Sequence, residues 1–485
     1  MGKLSNLEPK AVWEIFEQIC NIPHPSKKEQ QLSAFVKQFA ENLGLETIID
    51  DVGNVIIKKS ATPGYENRKG IILQGHLDMV PQKNSDKVHD FEKDPIEPII
   101  VGDKVKANGT TLGADNGIGV AAALAILQSK EIEHGYIEAL FTIDEEAGMN
   151  GAFGLKPGIL KGEILINLDS EDEGEIYIGC AGGMDANISF TFKKEPLPVD
   201  NVAYKISLIG LKGGHSGMDI NTGRANANKL MNRFLKYATK KFHIRISNID
   251  GGSLRNAIPR EAFVWVTLPS ELESNFVAAI KEFESIYKNE YGIVEPDLSF
   301  FTEKTNKPEW IIDKTTQDNL INCIYACANG VIRMSDEMPN LVETSNNLAS
   351  IKVNENQILI NCLLRSSVDS AKKDLSEAIH STFVLGGAKV EFTSGYPGWK
   401  PNVNSAILKK AQDVYFNKYG KTPEIKAIHA GLECGIILGT YPYLDIISIG
   451  PTIRYPHSPD EEVHITTVQK FWDFLVELLK NAPVK

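Results

Sequence analysis

Apolar residues at Val12, Ile15, Phe16 and Ile19 recur at helical spacing between Pro9 and Cys20, and Pro23 and Pro25 end the pattern. A second helix is predicted from about Lys28 to Leu43, closed by Gly44. The periodicity then shortens. VGNVIIKK (52–59) and GIILQGH (70–76) read as strands, and the second is apolar almost throughout, as suits the middle of a parallel sheet. GIGVAAALAIL (117–127) is a helix that is apolar nearly all round, so it should be buried. IEALFTI (137–143) and EILINLD (163–169) are further strands. Strands alternating with helices predict an α/β fold, a layered and largely parallel sheet flanked by helices.

Near Gly182 the character changes. Amphipathic strands such as AYKISLIGL (203–211), AFVWVTL (262–268) and ILINCLLR (358–365) alternate with helices over 225–238, 273–291 and 315–328. After GYPGWKP (395–401) the first pattern returns, with a helix over 405–419, the buried strand DIISIGP (445–451) and a last amphipathic helix over 467–479. The simplest organisation is a catalytic domain (1–184 and 397–485) interrupted by an inserted α+β domain (185–396). A length of 485 residues suits two or three cores.

The formal charge of -12 disfavours polyanionic partners, so neither nucleic acid nor an anionic membrane is expected. Six cysteines at 20, 180, 323, 327, 362 and 434 form no CxxC pair. Without a disulfide framework, a secretory leader or an apolar stretch approaching the ~20 residues of a membrane span, the chain is expected in the cytoplasm.

Chemistry gathers where apolar runs end. His76 and Asp78 lie one residue apart, so in an extended chain both face one side. The imidazole can then bind a metal while the carboxylate accepts its other N–H. Asp115, in GADNGIG, can bridge two cations, or simply cap the helix that follows. Glu145 and Glu146 follow a buried strand with Asp144 beside them. One can bind metal and the other take a proton from an attacking water, and residue order does not say which. Asp169 ends a strand, and Glu171, Asp172, Glu173 and Glu175 after it read as solvated charges. His457 follows Pro456 in a loop. Three carboxylates (Asp115, Glu146, Asp169) and one hydroxide balance two dications, with neutral His76 and His457 completing the shell. Nitrogen and oxygen donors without thiolate suit zinc and also allow cobalt or manganese.

The stretches GHLDMVPQKN, TTLGADNGIG, EEAGMNGAFGL, LINLDSEDEGEIYIGCAGG, LKGGHSG, RNAIPREAF, HAGLECG and SIGPTIRYPHSPDE closely resemble the di-zinc aminoacylase-like group of dipeptidases, carboxypeptidases and deacylases, nearly end to end. The resemblance implies two zinc ions per subunit. His76, Asp115 and Asp169 would hold one, and Asp115, Glu146 and His457 the other, with Asp115 as bridge. It implies Glu145 as general base, Asp78 as the residue orienting His76, and a cis peptide bond between Asp115 and Asn116. The inserted domain would be a lid carrying the contacts of a homodimer. His215 would polarise the scissile carbonyl, in its own or another subunit's site. Asn256 and Arg365 would bind substrate, and Gly431 and Glu433 would form the catalytic-domain side of the pocket. The implied activity is hydrolysis of unblocked dipeptides, especially those ending in histidine. The alternatives are an N-acyl-amino-acid deacylase of the same family and a non-catalytic metal-binding homologue.

Overall fold

The computed structural model describes residues 3–485. The chain forms two compact units. The first comprises residues up to Gly179, Trp399–Ala427 and Leu432–Lys485; the second comprises Cys180–Gly398 and Ile428–Gly431. The divisions at Gly179/Cys180 and Gly398/Trp399 compare with 184/185 and 396/397 read from the sequence. Residues Ile428–Gly431, read as catalytic-domain sequence, belong to the second unit.

The first unit is built on an eight-stranded mixed sheet. Its middle four strands, Ile137–Thr142, Ile71–His76, Ile164–Asn167 and Asp445–Ser448, run parallel, while antiparallel strands flank them. The sheet is therefore parallel at its centre rather than throughout. Strands Ile71–His76, Ile137–Thr142 and Ile164–Asn167 are buried at every position, which explains their unbroken apolar runs. Helix Lys10–Cys20 buries the stripe Val12, Ile15, Phe16 and Ile19, together with Trp13 and Cys20. Helix Ala114–Gln128 is buried along almost its whole length. Its glycines permit close packing: a Cβ at Gly117 would lie 2.9 Å from the Phe16 ring, and one at Gly119 would lie 2.5 Å from the Leu168 carbonyl. A four-stranded sheet of Pro98–Val101, Lys104–Ala107, Glu462–His464 and Ile453–Arg454, invisible in the sequence pattern, ties the C-terminal loop to the body.

The second unit is a nine-stranded antiparallel sheet with helices Ala227–Phe242, Glu273–Tyr291, Lys314–Ala326 and Asp369–Leu385. The sheet and helices share one core, in which Phe234 packs against Phe276, Phe283 and Phe300. All six cysteines are buried core residues, and none is in a disulfide. Among the described residues no helix is long and apolar enough to cross a membrane.

Candidate metal centre

The register of the parallel strands brings distant residues together. His76 ends its strand opposite Thr142, and Gln74 stands opposite Asn167. The loops that follow these strand ends carry Asp78, Glu145, Glu146 and Asp169. Carboxyl edges of parallel strands are where open α/β sheets place their ligand sites.

Asp115 sits at the middle of the cluster. Its Oδ1 lies 3.1 Å from His76 Nε2, and its Oδ2 lies 3.2 Å from His457 Nε2. His76 Nε2 is also 3.4 Å from Asp169 Oδ1, and His457 Nε2 is 2.9 Å from Glu146 Oε1. Ligand atoms of His76, Asp115 and Asp169 converge within 4.8 Å of one another, and so do those of Asp115, Glu146 and His457. The peptide bond between Asp115 and Asn116 is cis.

Charge explains what this arrangement calls for. Burial pushes Asp169 up to about 7, against the pull of His76, and pushes Glu145 well above the usual carboxylate range, with Asp169, Glu433 and Glu146 adding to the effect. The Asp115 and Glu146 carboxylates hold His457 up to about 11. Burial opposes protonation of His76, but the surrounding carboxylates outweigh it and hold the imidazole well above its ordinary value. The cluster holds more carboxylate charge than its imidazoles can neutralise. Glu146 Oε1 and Asp169 Oδ1 are buried without a hydrogen-bond partner of good geometry, although imidazole nitrogens lie 2.9 and 3.4 Å away. Free buried carboxylate oxygens beside imidazole nitrogens fit divalent cations.

Asp78 touches both His76 and the turn that carries the glutamates. His76 Nδ1 lies 3.0 Å from the Asp78 carbonyl oxygen and 3.5 Å from its carboxylate. The carboxylate meanwhile accepts the Glu145 amide at 2.9 Å, the Glu146 amide at 3.2 Å and the Ser26 hydroxyl at 2.7 Å. It therefore holds both glutamates by their backbone. Sequence reading missed this, since the turn at Asp144, left-handed with φ 51°, sets the direction of those amides. Beneath the strand ends, Glu433 accepts from Gln74 Nε2 at 2.6 Å and from Thr142 Oγ1 at 2.7 Å, and its Oε1 has no partner. Glu433 thus belongs to the first unit and Gly431 to the second. The acidic run after Asp169 is not uniformly solvated. Burial, with Asp115 and Asp169 nearby, pushes the half-buried Glu171 up to about 8. Asp172, Glu173 and Glu175 instead pair with Arg454, Lys470 and Lys426.

His215, Asn256 and Arg365 lie in the second unit. The amides of Gly217 and Met218 both donate to His215 Nδ1, at 3.2 and 3.0 Å. Nδ1 is therefore the acceptor and Nε2 carries the proton. Burial and Arg365 lower its pKa, which keeps the ring neutral. Arg365 is buried, donates to Ser216 Oγ and Tyr396 Oη at 3.3 Å each, and places Nη2 3.5 Å from His215 Nε2. Two donors that close, with no acceptor between them, suit an oxyanion or carboxylate. Asn256 is exposed, and its carbonyl accepts the Ser216 amide at 2.8 Å.

The sequence matches a family model described as Peptidase family M20/M25/M40 over residues 72–481. It is 47% identical to the cytosol non-specific dipeptidase of Escherichia coli (strain K12) over 485 residues, all of both chains. The structure resembles that of aminoacylhistidine dipeptidase from Vibrio alginolyticus, with a TM-score of 0.95 at 50% identity, covering 100% of this chain and 99% of the other. It shares the fold of aminopeptidase PepT from Bacillus cereus ATCC 10987 (TM-score 0.58, 16% identity, 98% and 99% of the chains).

Proposed function

The chain belongs to peptidase family M20/M25/M40, and on that premise we propose that it is a metal-dependent dipeptidase cleaving unblocked dipeptides, those ending in histidine among them. The carrying observation is the division of Asp115 between two donor groups, Oδ1 towards His76 and Oδ2 towards His457. Two divalent cations, held by His76, Asp115 and Asp169 and by Asp115, Glu146 and His457, would supply Lewis acidity and lower the pKa of an attacking water. The nitrogen and oxygen donor set favours zinc, with cobalt or manganese able to substitute.

Glu145 is the proton carrier of this reading. Its carboxylate takes a proton from the attacking water, and burial makes the carboxyl a good holder of that proton until the amine leaves with it. Asp78 fixes the Glu145 amide and the His76 ring. His215 donates Nε2–H to the carbonyl oxygen as it gains charge. Arg365 receives the dipeptide carboxylate through its planar fork. Glu433, with one unpaired oxygen, is assigned to the free α-ammonium, and Asn256 and Gly431 complete the substrate contacts. In this reading the second unit is a lid and dimerisation domain, its recognition groups serving its own or a partner subunit's site, and the enzyme works in the cytoplasm as a homodimer.

Two measurements test the proposal. Glu145→Ala should abolish turnover while the protein still binds two equivalents of metal; normal turnover would remove Glu145 from its role. A free dipeptide should be cleaved and its N-acetylated form refused, because acetylation deletes the ammonium that Glu433 would pair. Preference for the blocked substrate would point to a deacylase.

A further inference from the structure

The sequence YPHSPDEEVH supplies His457, but four residues later it also supplies a carboxylate that neither the sequence reading nor the reaction above has used. Glu461 is 2 % exposed. Its Oε2 accepts the backbone amides of Leu112 at 2.7 Å and Gly113 at 3.0 Å; its Oε1 accepts those of Ala114 at 2.8 Å and Asp115 at 3.2 Å. These amides belong to the turn that leads into helix Ala114–Gln128, where Asp115 (φ -84°, ψ 104°) and Asn116 (φ -110°, ψ 27°) are themselves non-helical. Gly113 is left-handed, with φ 72°, and this turns successive N–H groups towards one point.

Glu461 and His457 belong to one tight turn. The Glu461 amide donates to the Ser458 carbonyl at 3.0 Å, Ser458 Oγ donates to the Tyr455 carbonyl at 3.0 Å, and the Asp460 amide donates to Ser458 Oγ at 3.1 Å. This turn therefore presents an imidazole to the Asp115 side chain and a carboxylate to the Asp115 backbone. The distance between Asp115 and His457 is thereby fixed by protein–protein bonds.

We propose that Glu461 is a positioning residue that holds the Asp115 loop in its ligand-presenting shape before any cation arrives. The inference rests on the reading of Asp115 as the ligand common to both donor groups. Glutamine cannot replace Glu461, because its single oxygen serves one pair of amides while its NH2 group faces the other pair, donor against donor. Glu462, the next residue, is the natural control: it pairs with Lys104 and Lys106, away from the loop.

The test uses the full chain, chelator-stripped and then titrated with cobalt(II). In the unsubstituted stripped protein, the amides of Leu112, Gly113, Ala114 and Asp115 should already be as slow to exchange with deuterium as in the cobalt-loaded form. Rapid exchange that slows only on loading would overturn the proposal without any variant, so a misfolded mutant cannot shelter it. Glu461→Gln should accelerate exchange at these amides, weaken cobalt(II) binding by about tenfold or more and alter the visible spectrum of the bound ion. Glu462→Gln should leave all three unchanged. A folded Glu461→Gln protein with the original affinity and spectrum would also overturn it. Failure of the unsubstituted chain to bind cobalt(II) at all would instead sink the metal reading itself, and this inference with it.

Discussion

Replacing Asp78 by asparagine isolates the support beneath the centre from the centre itself. The substitution keeps shape and volume but leaves one acceptor oxygen where there were two. In the structure the two glutamate amides use different oxygens, Glu145 on Oδ1 and Glu146 on Oδ2, so asparagine must abandon one of them and turn an NH2 group towards it. It also removes the negative charge 3.5 Å from His76 Nδ1. A hydrogen bond to a charged group contributes about 1.5–3 kcal/mol. At about 1.4 kcal/mol per decade, losing one such bond weakens the presentation of Glu145 or Glu146 by roughly 10- to 150-fold. The ring keeps its bond to the Asp78 carbonyl, so the fold and the tautomer of His76 should survive. The assay pairs a metal titration against a chromophoric chelator with kcat/KM on a free dipeptide, after circular dichroism has verified folding. Affinity, activity or both should fall within that range. If both stay within twofold of the original, the argument that Asp78 holds the two glutamates through their backbone is wrong.

His215→Ala removes the Nε2–H donor, and kcat should fall by about 10²–10³-fold, the usual effect of deleting one oxyanion donor, with metal content unchanged. A loss confined to KM would place His215 in ground-state binding instead. His429 should contribute to acid sensitivity. Burial, with Arg365 and His215 adding to it, pushes its imidazole down to about 3, and its Nε2 shares a hydrogen bond of 2.7 Å with Ser345 Oγ. An unfolded histidine protonates near ~6.5. Below that pH the unfolded chain binds a proton that the folded one refuses, so stability falls as pH drops from about 6.5 towards 3, by about 1.4 kcal/mol per unit. His429→Gln should flatten this dependence by about 2–3 kcal/mol between pH 6.5 and 4.5, as read from denaturant melts, and an unchanged slope would refute the assignment.

The periodicity of the chain identified the elements that matter most, because burial writes itself into composition. A run such as ILINLD can only be a strand hidden on both faces, and the Ala-rich helix after Asp115 has no polar face to expose. Short, half-exposed strands carry no such imprint. Lys104–Ala107 and Glu462–His464 therefore stayed invisible until their pairing appeared.

The sequence by itself determined which residue types were available for chemistry and that they end buried strands. His76, Glu145, Glu146 and Asp169 were legible that way, whereas Asp115, in a glycine-rich turn, and His457, in a loop, stood out only through the family resemblance. It could not distinguish Glu461, one of two adjacent glutamates, from a surface charge. Nor could it show that Asp78 grips backbone amides, or that Gly431 and Glu433 fall in different units. Those facts depend on strand register and on the direction in which individual N–H groups and lone pairs point. Hydrogen bonds are directional and act between residues as far apart as Asp115 and Glu461, so only the tertiary structure decides them, whereas burial is an averaged property that each stretch of sequence reports locally.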